Sequence, residues 1–207
     1  QSLLNAGIVR SQQAPQYYFL PPGSEQTYTQ IPFYNAGTNA NGSKGQVLIL
    51  STDFNPAPLF PGVINRIYIR PLTNVDFNQG TYALSTRPRN FLIRIGYTNL
   101  TNFQGQTNWA SDPLDTVLFA ETYTGLPPEV TYGQWLGFTL DRPFTYDPSR
   151  NIIVEISLVN GTELGTIGCA KTPPEYMLRQ GTVVSATASP VRTSGAWHFG
   201  FDYATSN

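Results

Sequence analysis

The stretch Asn151-Ile152-Ile153-Val154-Glu155-Ile156-Ser157-Leu158-Val159 places Ile152, Val154, Ile156 and Leu158 on one side and Glu155 and Ser157 on the other. A period of two is that of an extended strand, whose successive side chains point to opposite faces. It reads as a strand with one core face, leaving Glu155 on a solvated outer face. Working outward, Val63 to Arg70 sets Ile67 and Ile69 against Arg66, Tyr68 and Arg70, and Phe91 to Tyr97 sets Phe91, Ile93 and Ile95 against Arg94. These are patterns of half-buried antiparallel strands. Further runs at Gln46–Leu50, Thr116–Tyr123, Gln134–Leu140, Thr182–Ala188 and Ala196–Tyr203, with one near Tyr28–Phe33, bring the total to about eight or nine strands, which suits a two-sheet sandwich. The fold class expected is all-β, an antiparallel, jelly-roll-like β-sandwich.

Turn-formers separate the runs: Asn55-Pro56-Ala57-Pro58, Pro61-Gly62, Asn78-Gln79-Gly80, Pro127-Pro128, Asn160-Gly161 and Pro173-Pro174. In Tyr146-Asp147-Pro148-Ser149-Arg150-Asn151 the Asp side chain can cap a turn while Pro presets the next φ, a tight lead into the following strand. Residues 1–30 differ, being rich in Gln and Ser with few alternations. They read as an N-terminal arm, and 31–207 as one sandwich domain. Within the arm, Leu3, Leu4, Ile8 and Val9 could add a strand to this sheet edge or to that of a neighbouring subunit, the bland alternative being a loosely packed terminus.

Only 12% of the 207 residues are charged, about half the usual share, while 40% are apolar and 12 Tyr and 12 Phe suit half-buried strands. The surface therefore interacts through hydroxyls, amides and Arg. A net charge of −1 without a Lys/Arg cluster gives no footprint for nucleic acid or an anionic membrane. The apolar runs are all too short to span a bilayer, so no membrane insertion is expected. The single cysteine, Cys169, excludes an intrachain disulfide and a Cys-based zinc site; it reads as a small buried hydrophobe or as an exposed thiol pairing between chains. Starting at Gln1-Ser2 without Met, the chain reads as one whose export signal has been removed, or as an arbitrary start.

Catalytic chemistry finds little to work with. The only histidine, His198, lies in Ala196-Trp197-His198-Phe199-Gly200-Phe201-Asp202-Tyr203, where the aromatics take one face and His198, Gly200 and Asp202 the other. Nucleophile elbows, phosphate loops and dinucleotide fingerprints are missing, and no cofactor is expected. Asp112-Pro113-Leu114-Asp115 suits loop capping better than calcium. Glu121 and Glu155 alternate with apolar residues rather than facing each other across a cleft, as a glycosidase requires. The chain reads as a non-enzyme. For ligand binding, Trp109 with Asn108 and Gln106 has the chemistry of a glycan platform, an aromatic ring flanked by amides, although a Trp in a long loop can equally be a lid.

Residues 46 to about 160 resemble a β-sandwich module of secreted Bacteroidota proteins found in cargo of the type IX secretion system. The resemblance runs through Val47-Leu48-Ile49-Leu50-Ser51, Val63-Ile64-Asn65-Arg66-Ile67-Tyr68-Ile69, the segment from Phe91 to Phe103, Thr116-Val117-Leu118-Phe119, Gly137-Phe138-Thr139-Leu140, and Pro143 through Ile156. It implies an exported, non-catalytic module outside the cell or on its surface, used in adhesion, filament building or display, and supplies no binding residues. No C-terminal sorting domain follows Asn207, which implies cleavage or another export route. The expected partners are copies of itself or other surface proteins, with glycans as the alternative.

Overall fold

The computed structural model describes residues 14–18, 44–54, 56–70, 90–106, 108–120, 134–157 and 198–205 in full, and 19, 27–29, 43, 75–76, 129–130, 158, 167–169, 179–182 and 191–193 as strand backbone alone. Leu3, Leu4, Ile8, Val9, Glu121 and the Cys169 side chain lie outside the described residues.

Two antiparallel sheets face each other. The first has four strands: β1 (Tyr17–Phe19) pairs with β14 (Phe199–Thr205), β14 with β4 (Gly62–Ile69), and β4 with β9 (Leu136–Tyr146). The second has six, in the order β13 (Val191–Thr193), β12 (Arg179–Thr182), β3 (Ser43–Ile49), β10 (Asn151–Leu158), β6 (Phe91–Thr98) and β7 (Asp115–Ala120). Two short ribbons pair β2 (Thr27–Thr29) with β11 (Ile167–Cys169) and β5 (Val75–Asp76) with β8 (Glu129–Val130). Successive strands mostly cross between sheets, β3 to β4 and β9 to β10 for example, so the expected jelly-roll-like sandwich is found, with ten strands in its two sheets.

The core forms where the alternating apolar faces meet. Val47, Ile49, Ile93, Ile95, Ile152, Val154 and Ile156 of the six-stranded sheet are all buried. They face Ile67, Ile69, Leu136, Phe138, Phe199 and Phe201 of the other sheet, with Phe91 against Phe138 at 5.2 Å and Tyr97 against Phe144 at 5.3 Å between ring centroids bridging the layers. The Asp147 turn forms as expected: its carboxylate accepts from Ser149 N–H at 2.9 Å and Ser149 Oγ–H at 2.7 Å, and Arg150 N–H donates to Asp147 O at 3.1 Å. These bonds hold the exposed Asp147 carboxyl below its usual range.

Two readings of the sequence are corrected. β9 does not stop at Leu140 but runs on to Tyr146, because Leu140, Asp141, Arg142 and Pro143 form a wide bulge opposite Asn65 of β4. A proline, having no N–H for the ladder, is accommodated at such a bulge. The outer face of β10 is not solvated either: Ile153 and Glu155 are 0% and 1% exposed. The connection between β6 and β7 crosses this face. Ala110 N–H donates to Gln46 Oε1 at 3.2 Å, Asn151 Nδ2 donates to Leu100 O at 2.9 Å, and Phe103 is fully buried. Gly96 makes this closeness possible, since a Cβ there would lie 2.1 Å from Pro113 O.

His198 also lies under cover, on the outer side of the four-stranded sheet. It is 0% exposed, its carbonyl accepts from Arg70 N–H at 3.3 Å, and neither ring nitrogen has a hydrogen-bond partner among the described residues. Burial, reinforced by the Arg70 charge, lowers its pKa from 6.5 to about 4. An unfolded chain takes up that proton first, so the stability linked to neutral His198 is complete above pH 6.5 and is lost as the pH falls towards 4. Asp53 works the other way, because burial raises its carboxyl from 3.8 to about 6, and the stability linked to its protonated form is lost as the pH rises through that value. Comparing His198→Phe with the natural chain cancels Asp53. The variant is expected to gain about 2–3 kcal/mol on the natural chain between pH 6.5 and 4 in denaturant titrations, and a difference independent of pH would contradict a buried neutral imidazole.

Candidate functional site

The three residues expected to bind glycan sit in the connection that covers the six-stranded sheet. Asn108 is exposed, while Gln106 and Trp109 are partly buried. Gln106 N–H donates to Phe103 O at 3.2 Å, and φ of +78° at Gly105 lets the chain reverse there. The Trp109 ring is not bare. Lys44 Nζ stands 4.3 Å from its centroid, a cation–π contact that ties the connection to β3. Trp109 thus takes the place of a lid.

Beneath it lies a cluster that alternation alone missed. Glu155 accepts from Lys44 Nζ at 3.0 Å, Gln46 Nε2 at 2.8 Å and Arg94 Nε at 2.8 Å, with Arg94 Nη2 a further donor. β3 and β6 flank β10 in register, Gln46 and Arg94 both opposite Glu155, so three strands deliver these side chains to one point. Four donors satisfy the carboxylate. This is the coordination of a structural pin, with both oxygens occupied. A signal for it was present: Ile152-Ile153-Val154 and Val47-Leu48-Ile49-Leu50 are continuous apolar runs, which imply strands covered on both faces.

A surface with free apolar area lies at the β1 edge of the other sheet. Three features seat β1 on β14: Tyr17 stacks on Phe201 at 5.5 Å, Gln16 N–H donates to Asp202 Oδ1 at 3.1 Å, and Tyr203 N–H donates to Gln16 Oε1 at 3.2 Å. Gly200 allows Pro15 to lie flat on the sheet, because a Cβ there would be 2.4 Å from Pro15 Cγ. Beside this strand, Gln16, Tyr17, Leu59, Phe60, Tyr203 and Thr205 line a groove of about 450 Å³. Leu59 is 86% and Phe60 66% exposed. Phe60 O accepts from Tyr203 O–H, which ties this loop to β14, and the two side chains are presented to solvent. Pro56 to Pro61 read only as turn punctuation in the sequence, and turn chemistry does not say which way the intervening side chains point.

Part of the arm therefore belongs to its own sheet, since Tyr17–Phe19 is an edge strand of the domain, while Leu3, Leu4, Ile8 and Val9 belong to the thirteen residues preceding Ala14. No family model, curated protein or solved structure matches this chain.

Proposed function

We propose that this chain is a non-catalytic structural or adhesive subunit, working outside the cell or on its surface, that associates with copies of itself. The observation that carries the reading is the exposed Leu59–Phe60 pair bordering the groove beside β1. Exposed apolar side chains that border a groove favour burial against a partner. The occupant we assign is the apolar stretch Leu3 to Val9 of a second copy, because that segment leads into β1 at the rim of the same groove. The low charge of the chain supports this, since two such surfaces meet without strong repulsion. The resemblance to exported Bacteroidota modules is what supports the location. Against catalysis stands His198, whose ring nitrogens are buried and bonded to no nucleophile among the described residues.

Sedimentation velocity across a concentration series tests the surface. The natural chain is expected to sediment faster as concentration rises. Leu59→Ser with Phe60→Ser is expected to weaken association by about 100-fold or more, as burial of each side chain contributes roughly 1.5–3 kcal/mol. Both residues are exposed, so monomer stability is expected to change by less than about 1 kcal/mol. Equal association by both proteins would overturn this surface.

A further inference from the structure

At the opposite edge of the four-stranded sheet from β1, the β9 bulge and the edge strand β7 enclose a groove of about 530 Å³. Its wall is set in advance: Tyr97 O–H donates to Thr145 O at 2.8 Å, and Asp147 N–H donates to Tyr97 Oη at 2.8 Å. The Arg150 guanidinium lies over the Tyr97 ring at 3.7 Å, and Phe144 packs against the same ring at 5.3 Å. No aromatic face is thus offered to a sugar. Stacking occupies the flat face of the guanidinium and leaves its N–H edge free to fork onto an anion. Arg142, on the bulge, is exposed and makes no ion pair among the described residues. The one carboxylate lining the groove is Asp115; nearby Asp147, bonded to Ser149 and ionised, also acts on the Arg150 charge, so Arg142 is the stronger of the two anchors.

β7 supplies the second element. It ends the six-stranded sheet, and no strand pairs with its outer side among the described residues. Towards its far end Asp141 Oδ2 accepts from Phe119 N–H at 3.1 Å, so a carboxylate already caps an outward amide there. Asp115, Thr116 and Val117 line the groove instead.

We propose that this groove binds an extended acidic peptide segment of a partner protein, which adds backbone hydrogen bonds along Asp115–Val117 of β7 and places its carboxylates on Arg142 and Arg150. Strand addition supplies affinity through the main chain, and the two cations select the acidic sequence. The test is a titration followed by amide NMR shifts, using the blocked hexapeptide Thr-Glu-Thr-Glu-Thr-Glu, its Gln counterpart, the Glu peptide N-methylated at alternate residues, and oligogalacturonate. The Glu peptide is expected to bind saturably and to shift the Thr116 and Val117 amides. The Gln peptide, the methylated peptide, and the Glu peptide on Arg142→Gln are each expected to bind about tenfold more weakly or worse. Arg142 is exposed and makes no ion pair among the described residues, so this variant is expected to melt like the natural chain. Absence of saturation, equal affinity for the Gln or methylated peptide, or unchanged binding by Arg142→Gln would overturn the proposal. Tighter binding of oligogalacturonate would overturn it in favour of an acidic glycan.

Discussion

Glu155→Gln is expected to lower the unfolding free energy by about 3–5 kcal/mol, the cost typical of breaking a buried ion pair from one side. The change preserves size and removes the charge, so it isolates electrostatics. Lys44 and Arg94, whose side chains are 14% and 33% exposed, would then share a covered site without a counter-charge. Replacing all three by Met is expected to cost less than Glu155→Gln alone, because an apolar cluster leaves no buried charge to compensate. Guanidinium denaturation of both variants reads this directly. If Glu155→Gln cost less than about 1 kcal/mol, the carboxylate would have the solvated position that alternation suggested.

Phe201→Ala carries a loss of similar size for a different reason. Phe201 is fully buried and lies 4.8 Å from the Phe54 ring, 5.2 Å from Tyr146 and 5.5 Å from Tyr17 between centroids. Removing it opens a cavity among rings that cannot collapse together, at about 3–5 kcal/mol. Phe201→Leu, which keeps most of the volume, is expected to cost about half that or less. Loss of the Tyr17 stack should also speed amide exchange in β1 before it affects β10. Uniform exchange across both strands, or a cost below about 1 kcal/mol, would contradict the place of Phe201 at the meeting point of core and arm.

Most of the sandwich was legible because period-2 alternation has one physical cause, a strand with a face to bury. Phe91, Ile93, Ile95, Ile152, Val154 and Ile156 were all placed correctly from that pattern alone. Glu155 was misplaced because alternation gives sides but not what covers them, and the covering connection is distant in sequence. Its ion pair with Arg94 spans 61 residues and its hydrogen bond with Gln46 spans 109. Pro143 hid the second half of β9, since a proline ends a strand unless a bulge takes it up. The groove beside β1 was illegible for a related reason, as Leu59 and Phe60 read as two apolar residues among prolines. Strand order depends on register between remote segments, and no local pattern encodes that.

The central claim is that the apolar stretch of the arm joins one copy to the next. The direct measurement is light scattering with sedimentation velocity on the full chain beside one lacking residues 1–13, which keeps Ala14 and all of β1. The full chain is expected to associate as concentration rises, with the shortened chain remaining monomeric and equally stable to denaturant. Association of the shortened chain at the same concentrations, or a full chain that stays monomeric throughout, would contradict the claim.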